Sequence, residues 1–203
     1  MKKISHSLIT KLISENGVIP FDFIDSWETF IESFVAYQET KVWQDFAHDR
    51  ITGTIKIINS IIHPEAYIGD FTLIRNSIIG KGVRIGAHCQ VNKSIINENS
   101  EFPHFNNIGY SFISNNVLFG SGVNTSSVRL DNKYPFVILE NNEKIVSSTY
   151  KYGAIVGENV KIGNLTTINP FTIIEKNSVV RPHQELKGII KNDSQQCINI
   201  MWD

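Results

Sequence analysis

Histidine is the side chain in this sequence best suited to move protons near neutral pH, because its ordinary pKa lies close to 7. The histidines stand at positions His6, His48, His63, His88, His104 and His183. His63, His88 and His183 are separated from one another by a coil or more of the repeat described below and lack the spacing of metal ligands. No Ser-His-Asp order, phosphate-binding glycine loop or Cys-x-x-Cys pair is present. We therefore predict no metal. His6 and His48 belong to the predicted N-terminal helices, and His104 is either a proton carrier or a corner residue bonded to the backbone.

The composition indicates one domain of ordinary size. The chain has 203 residues, 19 basic and 20 acidic side chains, and a formal net charge of −1. This balance argues against a nucleic-acid partner, which requires a basic excess or patch. Apolar runs fall far short of the roughly 18 residues that span a bilayer, and the first residues lack the apolar core of a signal peptide. We expect no membrane partner and a cytoplasmic location. Cys89 and Cys197 are too few for a disulfide framework.

A six-residue repeat organises most of the chain. Four similar tetrapeptides, each beginning 17 residues after the last, are Asn59–Ile62, Asn76–Ile79, Lys93–Ile96 and Tyr110–Ile113. Large apolar residues recur six apart within these units, as at Ile62, Ile68 and Ile74, and the series resumes from Val156 to Val180. A period of six fits neither a helix nor a flat strand. It predicts a triangular coil of three parallel sheets, with aliphatic ladders inside, Gly and Asn at the corners, and Cys89 as a small interior residue.

Three segments depart from the repeat. Residues 1–50 contain amphipathic helical patterns and are predicted to be a helical cap, which covers the open end of the coil or packs on a neighbouring subunit. Residues 51–187 form the coil, with a loop inserted at 126–153. Within it, residues 137–139 and 144–146 predict a hairpin. Residues 188–203 are a tail that closes the far end of the coil or lies on a partner chain. We call the loop at 126–153 the excursion. Long loops that interrupt a regular coil often carry binding or catalytic residues.

The repeat is similar to the hexapeptide repeat of left-handed parallel β-helix acyltransferases. Phe102–Gly109 further resembles the "PHLNYVG" stretch in the C-terminal acetyltransferase domain of bifunctional sugar-1-phosphate nucleotidyltransferases. Asn116–Thr125 resembles "NVNLGAGTIT", Arg129–Lys133 resembles "RHDGK", and Lys151–Lys161 resembles "KLGAIIGDNVK". The resemblance covers roughly residues 20–187. It implies an all-β fold, a left-handed parallel β-helix with a short α-helical N-terminal region, and the acyltransferase half of such a protein without its nucleotidyltransferase domain.

This resemblance implies roles for particular residues. His104 falls on the family's base, which takes a proton from the attacking amine. Arg75 falls near a phosphate-binding Arg, and Lys133 falls on a Lys that contacts the substrate, with Arg129 as a further candidate cation. Three substrate positions differ, since a family Lys, Tyr and Asn are replaced by Asn92, Asn107 and Ser127. The loss of a cation and an aromatic hydroxyl weakens a phosphate clamp by about 1–3 kcal/mol per lost charged hydrogen bond.

The resemblance also implies acetyl-CoA as co-substrate. Its pantetheine arm is expected along the C-terminal coils, where Ser121, Gly163 and Asn164 are small or polar enough to line a groove. Arg181 stands where many members of the family have small residues. It either narrows that groove or meets a phosphate of CoA.

The sequence leaves three functional hypotheses. The first is a homotrimeric, CoA-dependent acyltransferase that acetylates an amino group of a sugar phosphate or nucleotide sugar, with ligand sites between neighbouring subunits. The second is a non-catalytic β-helix that binds a ligand or serves as an assembly subunit of a separate sugar nucleotidyltransferase. The third is an acyltransferase that uses an oxygen nucleophile or a longer acyl chain.

Overall fold

The computed structural model describes residues 53–197 apart from 140, 141, 143, 148 and 194. All regular structure in this part is β-strand. The predicted helical cap at residues 1–50 lies outside the described residues. The first thirteen strands are β1 Lys56–Ile58, β2 Ile61–Ile62, β3 Tyr67–Ile68, β4 Leu73–Arg75, β5 Ile78–Ile79, β6 Arg84–Ile85, β7 Gln90–Asn92, β8 Ile95–Ile96, β9 Glu101–Phe102, β10 Asn107–Gly109, β11 Phe112–Ile113, β12 Leu118–Phe119 and β13 Asn124–Thr125. The others are β14 Phe136–Ile138, β15 Lys144–Val146, β16 Ala154–Val156, β17 Lys161–Ile162, β18 Thr167–Ile168, β19 Thr172–Ile174, β20 Val179–Val180, β21 Glu185–Leu186 and β22 Ile189–Ile190.

The strands wind into a left-handed parallel β-helix, which confirms the predicted all-β coil. Sheet 1 has the order β1-β4-β7-β10-β13-β18-β21, sheet 2 the order β2-β5-β8-β11-β16-β19-β22, and sheet 3 the order β3-β6-β9-β12-β17-β20. The chain passes from sheet 1 to sheet 2, then to sheet 3, and returns to sheet 1 one coil later. The turns between them form three edges of the prism, which we call the 1/2, 2/3 and 3/1 corners.

The interior contains the predicted aliphatic ladders. The inward residues of the three sheets are at most 5% exposed from Ile62 to Ile190, and they form one core cluster. Phe102 and Phe119 are stacked edge to face there, with ring centroids 5.1 Å apart. Cys89 is 2% exposed, and burial raises the pKa of its thiol. The structure therefore confirms Cys89 as an interior packing residue, because a buried thiol rarely forms the reactive thiolate.

A ladder of serine hydroxyls explains the tetrapeptides spaced 17 residues apart. The Ser77 Oγ donates to the Arg75 carbonyl oxygen at 2.7 Å and accepts the Ser94 N–H at 3.1 Å. The hydroxyls of Ser60, Ser94 and Ser111 make the same two bonds, and the Ser111 Oγ accepts the N–H of Ala154 at 2.9 Å. Each serine thus satisfies two backbone groups at the 1/2 corner, which buried backbone requires.

The excursion between β13 and β16 contains the predicted hairpin. β14 and β15 pair antiparallel, with Val137 opposite Ile145. Val137 and Ile145 belong to a second apolar cluster with the outward residues of sheet 2, which are Ile61, Ile78, Ile95, Phe112, Ile155, Ile173 and Ile189. The third residue of each tetrapeptide therefore faces outward and the fourth faces inward. The hairpin lies on the outer face of sheet 2 because this ladder offers it an apolar surface.

The described part of the tail continues the coil. β22 pairs with β19, and Cys197 forms an antiparallel bridge with Val180. The Arg181 N–H donates to the Gln196 carbonyl oxygen at 2.9 Å, so this segment lies along the free edge of β20. In the part of the chain that the structure describes, no helix is long and apolar enough to cross a bilayer.

Candidate active site

A groove follows the outer face of sheet 3 beside the 3/1 corner. Parallel register aligns the outward residues of sheet 3 as its floor, and these are Tyr67, Arg84, Glu101, Leu118, Lys161 and Val179. One half contains His104 and has a volume of about 400 Å³, and the other contains Asn164 and has a volume of about 420 Å³. Pro103 and Leu118 line both halves, so the two halves adjoin at these residues. We call the two halves together the sheet-3 groove.

His104 occupies the turn between β9 and β10 at the 3/1 corner. Its backbone carbonyl oxygen accepts the N–H of Gly122 at 3.0 Å, which ties the turn to the next coil. Its side chain is exposed and lines the groove. Among the described residues, no hydrogen bond to a protein group orients the imidazole. The ring is therefore accessible to a ligand in the groove, as a general base must be.

The residues predicted to hold CoA meet in the other half of the groove. Ser121, Gly163 and Asn164 all line it, and the Asn164 Oδ1 accepts the Ser121 N–H at 3.1 Å. A Cβ added to Gly163 would lie 2.3 Å from the Pro182 nitrogen, so only glycine permits the close approach of these coils. Arg181 is exposed and its neighbour Pro182 lines the groove.

Arg75 and Asn92 lie at a different edge of the prism. They are in register at the ends of β4 and β7, next to the 1/2 corner. Both are half-buried, and within the described part of the chain the Arg75 Nε is buried without a hydrogen-bond partner. His104 and Arg75 therefore stand at opposite ends of the sheet-1 strands. One chain does not bring the predicted base and this predicted phosphate ligand together.

The other predicted substrate residues already have partners within the chain. The Asn107 Nδ2 donates to the Asn124 Oδ1 at 2.7 Å, on the outer face of sheet 1. The Ser127 carbonyl oxygen accepts the Tyr152 N–H at 2.9 Å, at the start of the excursion. These contacts are structural, since each joins two neighbouring coils or the two ends of the excursion.

The two cations of the excursion differ in their surroundings. The Arg129 Nε donates to the Asp131 Oδ1 at 2.9 Å, and its guanidinium lies 4.8 Å from the ring centroid of Phe136. Arg129 holds the pKa of Asp131 down at about 2. Lys133 is exposed, and its backbone N–H donates to Asp131 at 3.3 Å. Asp131 thus compensates Arg129 and shapes the turn that presents Lys133.

Several groove residues were not singled out from the sequence. Tyr67, Arg84 and Glu101 form the floor around His104, and Arg84 lies over the Tyr67 ring at 5.6 Å. Each of the three immediately precedes an inward residue of sheet 3. The repeat could have identified these three residues as outward-facing, because residues adjacent to an inward position in a strand face outward. No group of three or more His, Cys, Asp or Glu side chains suited to a metal occurs among the residues that the structure describes.

Comparison with known proteins supports the resemblance found in the sequence motifs. Residues 46–128 match the family described as "GlmU-like, C-terminal hexapeptide". The chain is 35% identical over 119 residues to the bifunctional protein GlmU of Methanococcus aeolicus, covering 59% of this chain and 28% of that protein. It is 34% identical over 107 residues to a bifunctional sugar-1-phosphate nucleotidylyltransferase/acetyltransferase of Sulfurisphaera tokodaii. This match covers 53% of this chain and 25% of that protein. It is 30% identical to the GlmU of Thermodesulfovibrio yellowstonii, and the match covers 91% of this chain and 43% of that protein.

The chain thus spans between 25% and 43% of the length of these curated relatives. Among solved structures, the acetyltransferase domain of PglB from Neisseria gonorrhoeae FA1090 is 13% identical, with a TM-score of 0.43, and the match covers 85% of this chain and 73% of that one. The chain is a hexapeptide-repeat protein that resembles the C-terminal domain of GlmU, as the sequence motifs predicted.

Proposed function

We propose that the protein is a CoA-dependent acyltransferase that transfers an acetyl group to an amino group of a sugar phosphate or nucleotide sugar. The observation that carries this proposal is that the two halves of the sheet-3 groove adjoin at Pro103 and Leu118. One half is lined by Ser121, Gly163 and Asn164, and the other is lined by His104. The similarity to a sugar-1-phosphate nucleotidylyltransferase/acetyltransferase supports the acyl donor and the sugar class.

The chemistry requires one proton to move through His104. The neutral imidazole takes a proton from the amine as the amine nitrogen attacks the thioester carbonyl carbon. The carbon–sulfur bond then breaks, the amide forms, and the departing CoA thiolate receives the proton from the imidazolium. The pantetheine arm lies in the Asn164 half of the groove, so its thioester reaches the boundary at Pro103 and Leu118. His104 stands beside that boundary.

The anionic acceptor is held by cations from a second copy of the chain. Arg75 and His104 are at different edges of one prism, and a neighbouring prism in a homotrimer presents its own 1/2 corner toward the groove. We assign Arg75 and Lys133 to the acceptor phosphate. Arg129 orders the Lys133 turn through Asp131 and Phe136. A ring of three identical chains gives three equivalent sites of this kind.

Loss of the base tests the proposed reaction. His104→Gln removes a proton acceptor and retains a polar side chain, so kcat is expected to fall about 10²- to 10⁴-fold. The measurement is CoA release from acetyl-CoA in the presence of amino-sugar phosphates and nucleotide amino sugars. His63→Gln is the matched control, because His63 lies in a turn outside the groove. Equal turnover by both variants would contradict the role of His104.

A second candidate function is a non-catalytic ligand-binding or assembly subunit. The observation that favours it is that Asn107 and Arg129 already bond within the chain. This alternative predicts no rise in Tm with acetyl-CoA and no turnover of any amino sugar. A ligand at 100 times its Kd stabilises a protein by about 2.7 kcal/mol. Thermal unfolding with and without acetyl-CoA therefore separates the two functions.

A further inference from the structure

The 3/1 corner differs from the 2/3 corner of the prism in the residues that occupy left-handed backbone. At the 2/3 corner these positions are filled only by Asn and Gly, namely Gly82, Asn99, Asn116, Asn159 and Asn177. At the 3/1 corner they are Phe71, His88, Phe105, Gly122, Leu165 and His183, with φ between 56° and 73°. Bulky side chains are rare at positive φ. Backbone strain of this kind is often retained where it serves a function.

Three of these side chains form a stack of rings. His88 lies between Phe71 and Phe105, with centroid distances of 5.0 and 5.2 Å and interplanar angles of 16° and 12°. Phe71 is 60% exposed and Phe105 is 65% exposed. The rings are packed against each other rather than into a core. The stack therefore presents aromatic surface to solvent along the edge beside His104.

The stack ends at Gly122, which leaves a slot. Gly122 follows Phe105 along the corner and has no side chain, and the next residue along the corner is Leu165. Adjacent coils are about 4.8 Å apart, so Phe105 and Leu165 are separated by about 10 Å. A Cβ added to Gly122 would lie 2.7 Å from the Leu165 Cδ2, so Leu165 leans into this space. A planar ring needs about 3.5–4 Å on each side. Because Leu165 takes up part of the separation of about 10 Å, the space that remains corresponds to a single ring in contact with both Phe105 and Leu165.

The slot adjoins the sheet-3 groove at each of its three positions. His104 precedes Phe105, Ser121 precedes Gly122, and Asn164 precedes Leu165. All three preceding residues line the groove. The slot itself contains no charged side chain, which suits an uncharged planar group rather than a phosphate. A ligand that lies in the groove can therefore place a ring over the corner.

We propose that the slot formed by Phe105, Gly122 and Leu165 binds the base of a nucleotide. The Phe105 ring stacks on one face of the base and the Leu165 side chain covers the other. The base belongs either to the adenosine end of CoA or to a nucleotide-sugar acceptor. The proposal deepens the proposed function, on which it rests for the ligand in the groove. It adds an aromatic subsite to the recognition of one substrate.

Binding measurements with paired probes test the slot without turnover. One pair is CoA and 4′-phosphopantetheine, and the other is a uridine diphosphate sugar and the same sugar 1-phosphate. Each pair differs by a nucleotide, which consists of the base with its ribose and phosphate, and the Phe105 variants isolate the contribution of the base. The wild-type protein is expected to bind the base-bearing member of one pair more tightly, and that pair identifies the source of the base. Isothermal titration calorimetry gives the Kd values.

Phe105→Leu removes the aromatic ring and should retain the left-handed backbone conformation of the corner. Leu165 shows that leucine adopts this conformation, since it has a φ of 57° at the same corner. The preference for the base-bearing probe is expected to fall about fivefold or more, the effect of removing an aromatic ring from a stacked base. Phe71→Leu is the matched control. It removes an equally exposed ring from the other end of the same stack, so it should leave the preference intact. Phe105→Trp should preserve or increase the preference.

Two results would overturn the slot. One is equal binding of both members in both pairs by the wild-type protein. The other is a base preference that Phe105→Leu leaves unchanged or that Phe71→Leu reduces equally. Either result is independent of acetyl transfer, which is measured separately with amino-sugar acceptors. Turnover without base preference would remove the slot and retain the proposed function. A base preference without turnover would retain the slot and remove the proposed function.

Discussion

At the scale of single residues, the excursion shows how one carboxylate organises two cations. Asp131 accepts from the Arg129 side chain and from the Lys133 backbone N–H. The Arg129 hydrogen bond is the main reason that the pKa of Asp131 is about 2 instead of 3.8. The ion pair is therefore complete above pH 3.8 and is lost as the pH falls toward 2. Across the neutral range of an acyl-transfer assay, the Lys133 turn does not change with pH.

Removal of the arginine should restore the ordinary acidity of this carboxyl. Arg129→Met is expected to move the pKa of Asp131 back toward 3.8, because the charged hydrogen bond is lost. A carboxyl-carbon NMR titration measures the value. Lys133→Met is the control, since the Lys133 charge contributes least to the shift and its backbone N–H remains. A larger shift in Lys133→Met than in Arg129→Met would contradict the assignment.

At the scale of strands, each two- or three-residue segment alternates between core and surface. In β12, Phe119 is fully buried against Phe102, whereas Leu118 is 40% exposed on the groove floor. The same alternation places Glu101 and Lys161 outward on the neighbouring strands. Core packing and groove chemistry are therefore encoded at adjacent positions and change independently.

The two residues of β12 should have very different effects on stability. Phe119→Ala leaves a cavity in the interior and is expected to lower the free energy of unfolding by about 3–5 kcal/mol. Leu118→Ala changes an exposed side chain of the same strand and should cost about 1 kcal/mol or less. Denaturant unfolding followed by circular dichroism compares them. Similar losses of unfolding free energy in both variants would contradict the prediction that burial of Phe119 in the core determines its larger effect.

At the scale of the whole molecule, sheet 1 separates the predicted base from the predicted phosphate ligand. His104 stands at the 3/1 corner, and Arg75 stands at the end of β4 near the 1/2 corner. The prism is rigid because every coil is hydrogen-bonded to the next. Bending of one chain cannot bring the two corners together. We therefore propose that a second copy of the chain supplies Arg75 to the site of His104.

Mixed assemblies should reveal a shared site. His104→Gln and Arg75→Met subunits are each expected to be nearly inactive alone. Refolded together at equal concentration, they should regain about a quarter of the wild-type turnover, because random mixing in a three-fold ring pairs intact residues at about one interface in four. The measurement is CoA release by the mixture. The unmixed variants at the same total concentration are the controls. No recovery in verified mixed trimers would contradict a site shared between His104 of one chain and Arg75 of another.

The sequence was sufficient to predict the coil. The six-residue period identifies inward residues such as Ile68, Phe102 and Ile162, and the structure confirms that they are buried. The tetrapeptides indicated the 17-residue coil, and the serine ladder supplies its physical reason. Local sequence suffices here because each residue of the coil contacts equivalent residues one coil away. The hairpin of the excursion was also predicted, since its pattern is local.

The tertiary structure alone decided which candidate residues come together. It placed His104 in one half of the sheet-3 groove and Ser121, Gly163 and Asn164 in the adjoining half, and it placed Arg75 at another edge. It also revealed the outward apolar ladder beneath the hairpin and the aromatic stack beside Gly122. A repeat specifies whether a residue faces in or out, because that depends on its position in a strand. Lateral neighbours depend instead on the register between coils and on where the excursion packs, which are properties of the folded chain.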